Sequence, residues 1–187
     1  MSAARAARPR AAKPGVGGPR PAGPLLSVQR QVRSGWVPGT AALRRWAAAA
    51  LGARAARGQI ALAIVGSARS RALNLQYRGK DRPTNVLSFP AAPGTELPDE
   101  RGGARGSRPA RLTALGDIVI CPQVLRREAR EQGKRERDHW MHLFVHGVLH
   151  LVGHDHEHDD EARRMERLEA RVLRGFGVAD PYRSHGP

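Results

Sequence analysis

The hydrophobic and polar positions of the chain predict four β-strands. Leu26, Val28 and Val32 recur at even spacing in "LLSVQRQV", a pattern typical of a strand. The apolar run "QIALAIVG" is bounded by glycines, which predicts a strand buried on both faces. Two further strands are predicted by "NVLSFP" at residues 85–90, which its proline ends, and by "LGDIVICP" at residues 115–122.

Helix-forming residues and periodic apolar positions predict five helices. In the last of them, Met165, Leu168 and Val172 form an apolar stripe with spacings of three and four. Short strands interspersed with helices indicate a single-domain α/β (α+β) fold, in which a small mixed sheet packs with helices. We place the helices at residues 41–56, around 72–75, at 122–132, at 139–152 and from 159 onward.

Composition divides the chain into a tail and one folded domain. Residues 1–24 are rich in Pro, Gly, Ala and Arg, which predicts a disordered basic tail. Residues 25–183 are expected to form the domain. Within it, residues 91–111 contain several prolines and glycines and have neither a helical nor a strand period, so we expect a flexible loop there.

The charge of the chain points to a polyanionic partner. The formal net charge is +15, and only five of those charges precede Leu25, so the folded part is basic as well. RNA, DNA or an anionic membrane surface would fit. A spanning helix is not expected, because the sequence has no run of about 18 apolar residues. Cys121 is the only cysteine, which fits a reducing compartment, and we expect a cytoplasmic protein.

The segment "HGVLHLVGHDH", residues 146–156, predicts a metal site. His146 and His150 are four positions apart on a helix, which places their Cβ atoms about 5–6 Å apart on one face. Gly153 can adopt the left-handed conformation that ends a helix, so the chain can bend and bring His156 to the same ion. Three neutral imidazoles suit zinc and leave a fourth position open. His154 and His158 are weaker candidates.

The spacing of these histidines matches a zinc protease pattern, H-E-x-x-H-x-x-G-x-x-H, except at one position. Gly147 stands where that pattern has its glutamate base. Because such a protease needs the carboxylate to take a proton from water, peptide hydrolysis is disfavoured.

A second candidate segment is "NLQYRGKDRPTNVLSFP", residues 74–90. Arg78 and Lys80 flank Gly79, and such a loop can donate hydrogen bonds to a phosphate. Taken alone, the segment is more typical of a solvated basic turn.

Together these segments resemble a known family. "YRGKDRPTNVLSFP", "LGDIVIC", "HGVLHLVGHDH" and "DDEARRMERLEARVL" are similar to the motifs of the YbeY family of bacterial endoribonucleases, from about Leu26 to Tyr182. The resemblance implies one zinc ion held by His146, His150 and His156, and a metal-dependent nuclease that acts on single-stranded RNA. The functional arginine of that family matches Arg78.

The resemblance also implies a role in ribosomal RNA maturation, notably at the 3′ end of the small-subunit RNA, and in ribosome quality control. The partners it implies are ribosomal RNA, ribosomal subunits and the Era GTPase. Our hypothesis is that zinc activates water or polarises the phosphate, while Arg78 stabilises the growing negative charge. Two alternatives stay open: a ribosome-assembly RNA-binding protein with a structural zinc, and a zinc hydrolase of another ester.

Overall fold

The protein, described by a computed structural model over residues 23–32, 35–99, 111–154 and 158–182, alternates strands and helices. Most of the predicted tail and His156 therefore lie outside the described residues. Within those ranges the elements are β1 (Leu25–Arg30), α1 (Thr40–Leu51), a 3-10 helix (Gly52–Arg57), β2 (Gly58–Ile64), α2 (Ser67–Arg78), β3 (Val86–Pro90), β4 (Glu96–Pro98), β5 (Arg111–Ile120), α3 (Pro122–Glu131), α4 (Glu136–Leu151) and α5 (Asp159–Arg174).

The strands form one mixed sheet in the order β1-β2-β5-β3. β1 and β2 are parallel, as are β2 and β5, and Leu62 of β2 lies between Val28 and Ile118. β3 runs antiparallel to β5, and β4 also runs antiparallel to β5, pairing with its beginning. This architecture confirms the predicted α+β domain with a small mixed sheet. In the part of the chain that the structure describes, no helix is both long and apolar enough to cross a membrane.

The hydrophobic core lies between one face of the sheet and helices α1 and α4. Ile60, Leu62 and Ile64 project from β2 into it, and Trp140 and Phe144 of α4 are 0% exposed. Each such side chain stabilises the fold by about 1.5–3 kcal/mol. The prediction that β2 is buried on both faces is wrong, because its alternate residues are only half-buried.

Several elements differ from the prediction; β5, for example, begins at Arg111 instead of residue 115. α1 ends at Leu51 instead of residue 56, because Gly52 has a φ of 55° and a 3-10 helix follows. α4 begins at Glu136, three residues early, and its acidic first turn suits the positive end of the helix dipole. The predicted loop at 91–111 contains β4, which the sequence reading missed. Residues 100–110 of that loop lie outside the described ranges.

Candidate active site

Gly147 allows α4 to lie directly against the sheet. A Cβ atom at this position would be 3.1 Å from Ser88 Oγ and 3.3 Å from two atoms of the Ile118 side chain. These separations are tighter than ordinary van der Waals contact, so any larger residue here would require the Ser88 and Ile118 side chains to shift by a few tenths of an ångström. The departure from the protease pattern therefore has a packing reason.

The imidazoles of His146 and His150 face each other on α4. Their Nε2 atoms are 3.1 Å apart, and the ring centroids are 4.6 Å apart with an interplanar angle of 80°. Two nitrogens that share a tetrahedral zinc ion at 2.0–2.1 Å lie about 3.3–3.4 Å from each other. The observed separation is close to that value, so this donor pair fits a zinc ion.

Glu169 of α5 orients the first of these rings. Its Oε1 accepts a hydrogen bond of 2.9 Å from Nδ1 of His146. With the proton held on Nδ1, Nε2 keeps its lone pair, which is the form that binds a metal. Glu169 is 0% exposed. Its Oε2 accepts a 2.9 Å hydrogen bond from Nε2 of His142 and another from the Tyr182 hydroxyl.

The Glu169 carboxyl group is ionised. Burial by itself raises its pKa, but hydrogen bonds from His142 and His146 outweigh burial and lower the pKa to about 2. Burial and the hydrogen bond to Glu169 raise the pKa of Tyr182, so its hydroxyl remains a donor. The result is a buried negative charge directly behind a candidate metal ligand, where it favours a bound cation.

The turn after α4 has the geometry predicted for Gly153. Its φ is 86°, the Gly153 N–H donates to the His150 carbonyl, and the His154 N–H donates to the Leu149 carbonyl, each at 3.1 Å. These two bonds form a Schellman motif, so the prediction that the chain turns here is confirmed. His156 lies outside the described residues, and the described residues alone assemble no group of three ligands. The three-histidine site stays a prediction.

The end of α2 and the loop that follows it also contribute residues to the site. Ser70 Oγ donates to the Thr84 carbonyl at 2.7 Å and accepts from the Thr84 N–H at 3.0 Å. Asn74 Nδ2 donates to the Arg82 carbonyl at 2.8 Å. Ser70 and Asn74 are buried, so these bonds hold the loop that carries Lys80 in one position.

Histidines and cationic side chains share one cleft of about 680 Å³. Arg78, Lys80, His146 and His150 all line it. The described lining residues include no carboxylate, so the cleft suits a phosphate group. The described residues that line it are Arg78, Lys80, Asn85, Val86, Ser88, Pro90, His142, Leu143, His146, His150 and Tyr182.

Sequence reasoning missed His142 and Glu169, although both leave a signal. His142 precedes His146 by four residues and so continues the same helical row. Glu169 lies four residues after Met165 and four before Leu173, both buried, and therefore occupies a core position of α5. Leu168 and Val172, which the sequence stripe favoured, are only partly buried.

A second hydrogen-bonded cluster supports the cleft from α3. Asn85 Nδ2 donates to Glu128 Oε2 at 2.9 Å, and the same oxygen lies 3.1 Å from Nε2 of His139. His139 is 4% exposed, and burial lowers its pKa more than the hydrogen bond to Glu128 raises it. The cluster ties Asn85, a lining residue, to α3 and α4.

Comparisons with known proteins match most of the chain. The family model described as Endoribonuclease YbeY matches residues 40–177. Endoribonuclease YbeY of Alkalilimnicola ehrlichii is 52% identical over 167 residues, which cover 86% of this chain and 93% of that protein. The solution structure of TM1509 from Thermotoga maritima covers 86% of this chain and 100% of its own, at 22% identity and a TM-score of 0.49. The residues that the family model matches include every described residue of the cleft lining except Tyr182.

Proposed function

The chain belongs to the YbeY family of endoribonucleases, and from that premise we propose that it is a zinc-dependent enzyme that cleaves single-stranded RNA. The proposed cellular role is maturation of ribosomal RNA, at the 3′ end of the small-subunit RNA, and ribosome quality control. One observation supports this proposal most directly: two imidazole Nε2 atoms 3.1 Å apart belong to residues that line the same cleft as Arg78 and Lys80.

His146, His150 and His156 would hold the zinc ion. The separation of the first two Nε2 atoms and the buried carboxylate behind His146 support this assignment. When bound, zinc supplies Lewis acidity and makes water a stronger nucleophile near neutral pH. A glutamate base at position 147 is therefore not required by the proposed chemistry.

The side chains of the cleft bind and orient the RNA. Arg78 donates two parallel hydrogen bonds to non-bridging phosphate oxygens and stabilises the negative charge that grows there as the P–O bond breaks. Lys80, held by the loop behind α2, adds a second positive charge. Glu169 keeps the proton of His146 on Nδ1, so the ring presents Nε2 to the cleft throughout.

The test is cleavage of a labelled single-stranded fragment from the 3′ end of small-subunit ribosomal RNA. Wild-type protein with and without chelator is compared with His150→Ala and Arg78→Ala. Arg69→Ala is the matched control, because Arg69 is an exposed arginine of α2 outside the cleft lining. We expect chelation and either cleft substitution to lower the cleavage rate at least 100-fold, and the control to retain it.

Two results would overturn the proposal. Cleavage that survives chelation and both cleft substitutions would come from another nuclease. Full RNA binding by a folded His150→Ala protein, with no cleavage by the wild type, would instead support an RNA-binding protein with a structural metal.

Ribosomal subunits and the Era GTPase are the proposed partners. The net charge of +15 supports a partner rich in RNA. Cosedimentation with small subunits should weaken steeply as salt is raised from about 50 to 200 mM, because each phosphate contact releases a counterion. Cosedimentation that does not change with salt would argue against an RNA-mediated contact.

A further inference from the structure

Two aromatic rings contact each other at the surface beside the cleft. The ring centroids of Tyr77 and Phe89 are 4.8 Å apart, with an interplanar angle of 64° in an edge-to-face arrangement. Tyr77 is 58% exposed, whereas Trp46, Trp140 and Phe144 are buried in the core. The position of Tyr77 is therefore not explained by packing of the hydrophobic core.

The two rings are one residue along the chain from three residues that line the cleft. Tyr77 directly precedes Arg78, and Phe89 lies between Ser88 and Pro90, and these three neighbours all line the cleft. Alternate residues of a strand project to opposite faces, so Phe89 leaves edge strand β3 on the side opposite to Ser88 and Pro90, and the two rings lie around that edge from the cleft, one residue along the chain from its lining.

Both rings belong to residues of regular secondary structure. Phe89 is paired with Asp117 in the sheet. Tyr77 lies in the last turn of α2, which is capped by Gly79 and is tied to the following loop by Ser70 and Asn74. The edge-to-face contact holds the Tyr77 ring without covering it, so a planar group can still pack on the exposed surface.

We propose that Tyr77, supported by Phe89, is a base-stacking subsite for the nucleotide next to the phosphate that Arg78 binds. This inference rests on the proposed function. An aromatic platform beside cationic side chains is how proteins bind single-stranded nucleic acid without reading its sequence. A base in a duplex is already stacked and paired, so the subsite favours unpaired RNA.

The neighbouring charges favour RNA over a protein partner. Leu75, 49% exposed on the same helix, would extend an apolar docking patch. However, Arg78, Lys80 and Arg82 follow Tyr77 within five positions and are all exposed, which suits a phosphate backbone. If the RNA base stacks only on the Tyr77 ring, Leu75 should contribute nothing to RNA affinity.

The test measures RNA affinity separately from cleavage, with chelated full-length protein and fluorescence anisotropy. Tyr77→Ala should weaken binding of a single-stranded oligonucleotide about 5- to 100-fold. Tyr77→Trp should bind as wild type, and duplex RNA should bind Tyr77→Ala and wild type equally. Leu75→Ala is the adjacent control, and Trp36→Ala removes an exposed aromatic residue outside the cleft lining.

A second measurement changes the RNA instead of the protein. An oligonucleotide with 2-aminopurine at the stacked position should lose fluorescence on binding wild type and Tyr77→Trp but not Tyr77→Ala. An abasic nucleotide at that position should remove the difference between wild type and Tyr77→Ala.

The outcomes separate the two proposals. Equal affinity of Tyr77→Ala and wild type for single strands, with normal cleavage by the wild type, overturns the subsite alone. Equal losses for single-stranded and duplex RNA, or equal losses in Leu75→Ala, also overturn it. Selective loss in Tyr77→Ala, with no metal-dependent cleavage by the wild type, supports the subsite and overturns the proposed enzyme.

Discussion

Replacing Glu169 with glutamine removes the negative charge from a carboxyl group that is 0% exposed and that three side chains contact. The amide keeps one acceptor oxygen but presents an NH₂ group to His142 or His146. One or two charge-assisted hydrogen bonds are lost, each worth about 1.5–3 kcal/mol. We therefore expect the free energy of unfolding to fall by about 3 kcal/mol at pH 7.

The lowered pKa of Glu169 leads independently to a similar loss in the free energy of unfolding. Folding lowers it from 4.5 to about 2, and each pKa unit corresponds to about 1.4 kcal/mol, so ionisation contributes about 3 kcal/mol. Because the folded pKa is depressed, this contribution is complete above pH 4.5 and is lost as pH falls towards 2. The difference in the free energy of unfolding between wild type and Glu169→Gln should therefore be smaller by roughly half at pH 3 than at pH 7.

The assay is urea unfolding in the presence of a chelator, so that metal binding does not contribute. A thermal melt should show a decrease of about 6–12 °C for a chain of this size. Glu161→Gln is the matched control: it removes an exposed carboxylate from the first turn of the same helix and should cost less than about 1 kcal/mol. A Glu169→Gln protein as stable as this control would refute the reasoning.

Three further substitutions test other parts of the site. Asn74→Ala leaves the Arg82 carbonyl without its 2.8 Å donor, so it should lower the free energy of unfolding in urea by about 1–3 kcal/mol and raise the KM for RNA. An unchanged KM would show that this bond does not order the loop. Gly153→Ala forces a φ of 86° on a residue with a Cβ and should cost about 1–2 kcal/mol and weaken zinc uptake in equilibrium dialysis; uptake equal to wild type would contradict the predicted role of the turn. Burial holds the pKa of His139 below 6.5, so the folded state binds fewer protons there than the unfolded state, and the free energy of unfolding should rise with pH up to about 6.5. His139→Gln should reduce the slope of unfolding free energy against pH. An unchanged slope would show that another group titrates in this range.

Local sequence was sufficient for the features that depend on neighbouring residues. The four-residue spacing of His146 and His150, the turn at Gly153 and the start of α3 at Pro122 were predicted, and the structure agrees with each. These features depend on helix periodicity and backbone conformation, which are set within a few residues. The mixed α+β character followed from the same local patterns.

Tertiary structure decided which distant residues meet. Glu169 is one of several charged residues in "DDEARRMERLEARVL", and only the docking of α5 on α4 makes it the buried acceptor of His146. In the same way, the packing reason for Gly147 is its contact with Ser88 and Ile118, and β4 is a strand because it pairs with β5. Periodicity identifies the face of a helix but not the partner on which that face packs, because that choice depends on the shape and chemistry of chain segments far apart in sequence.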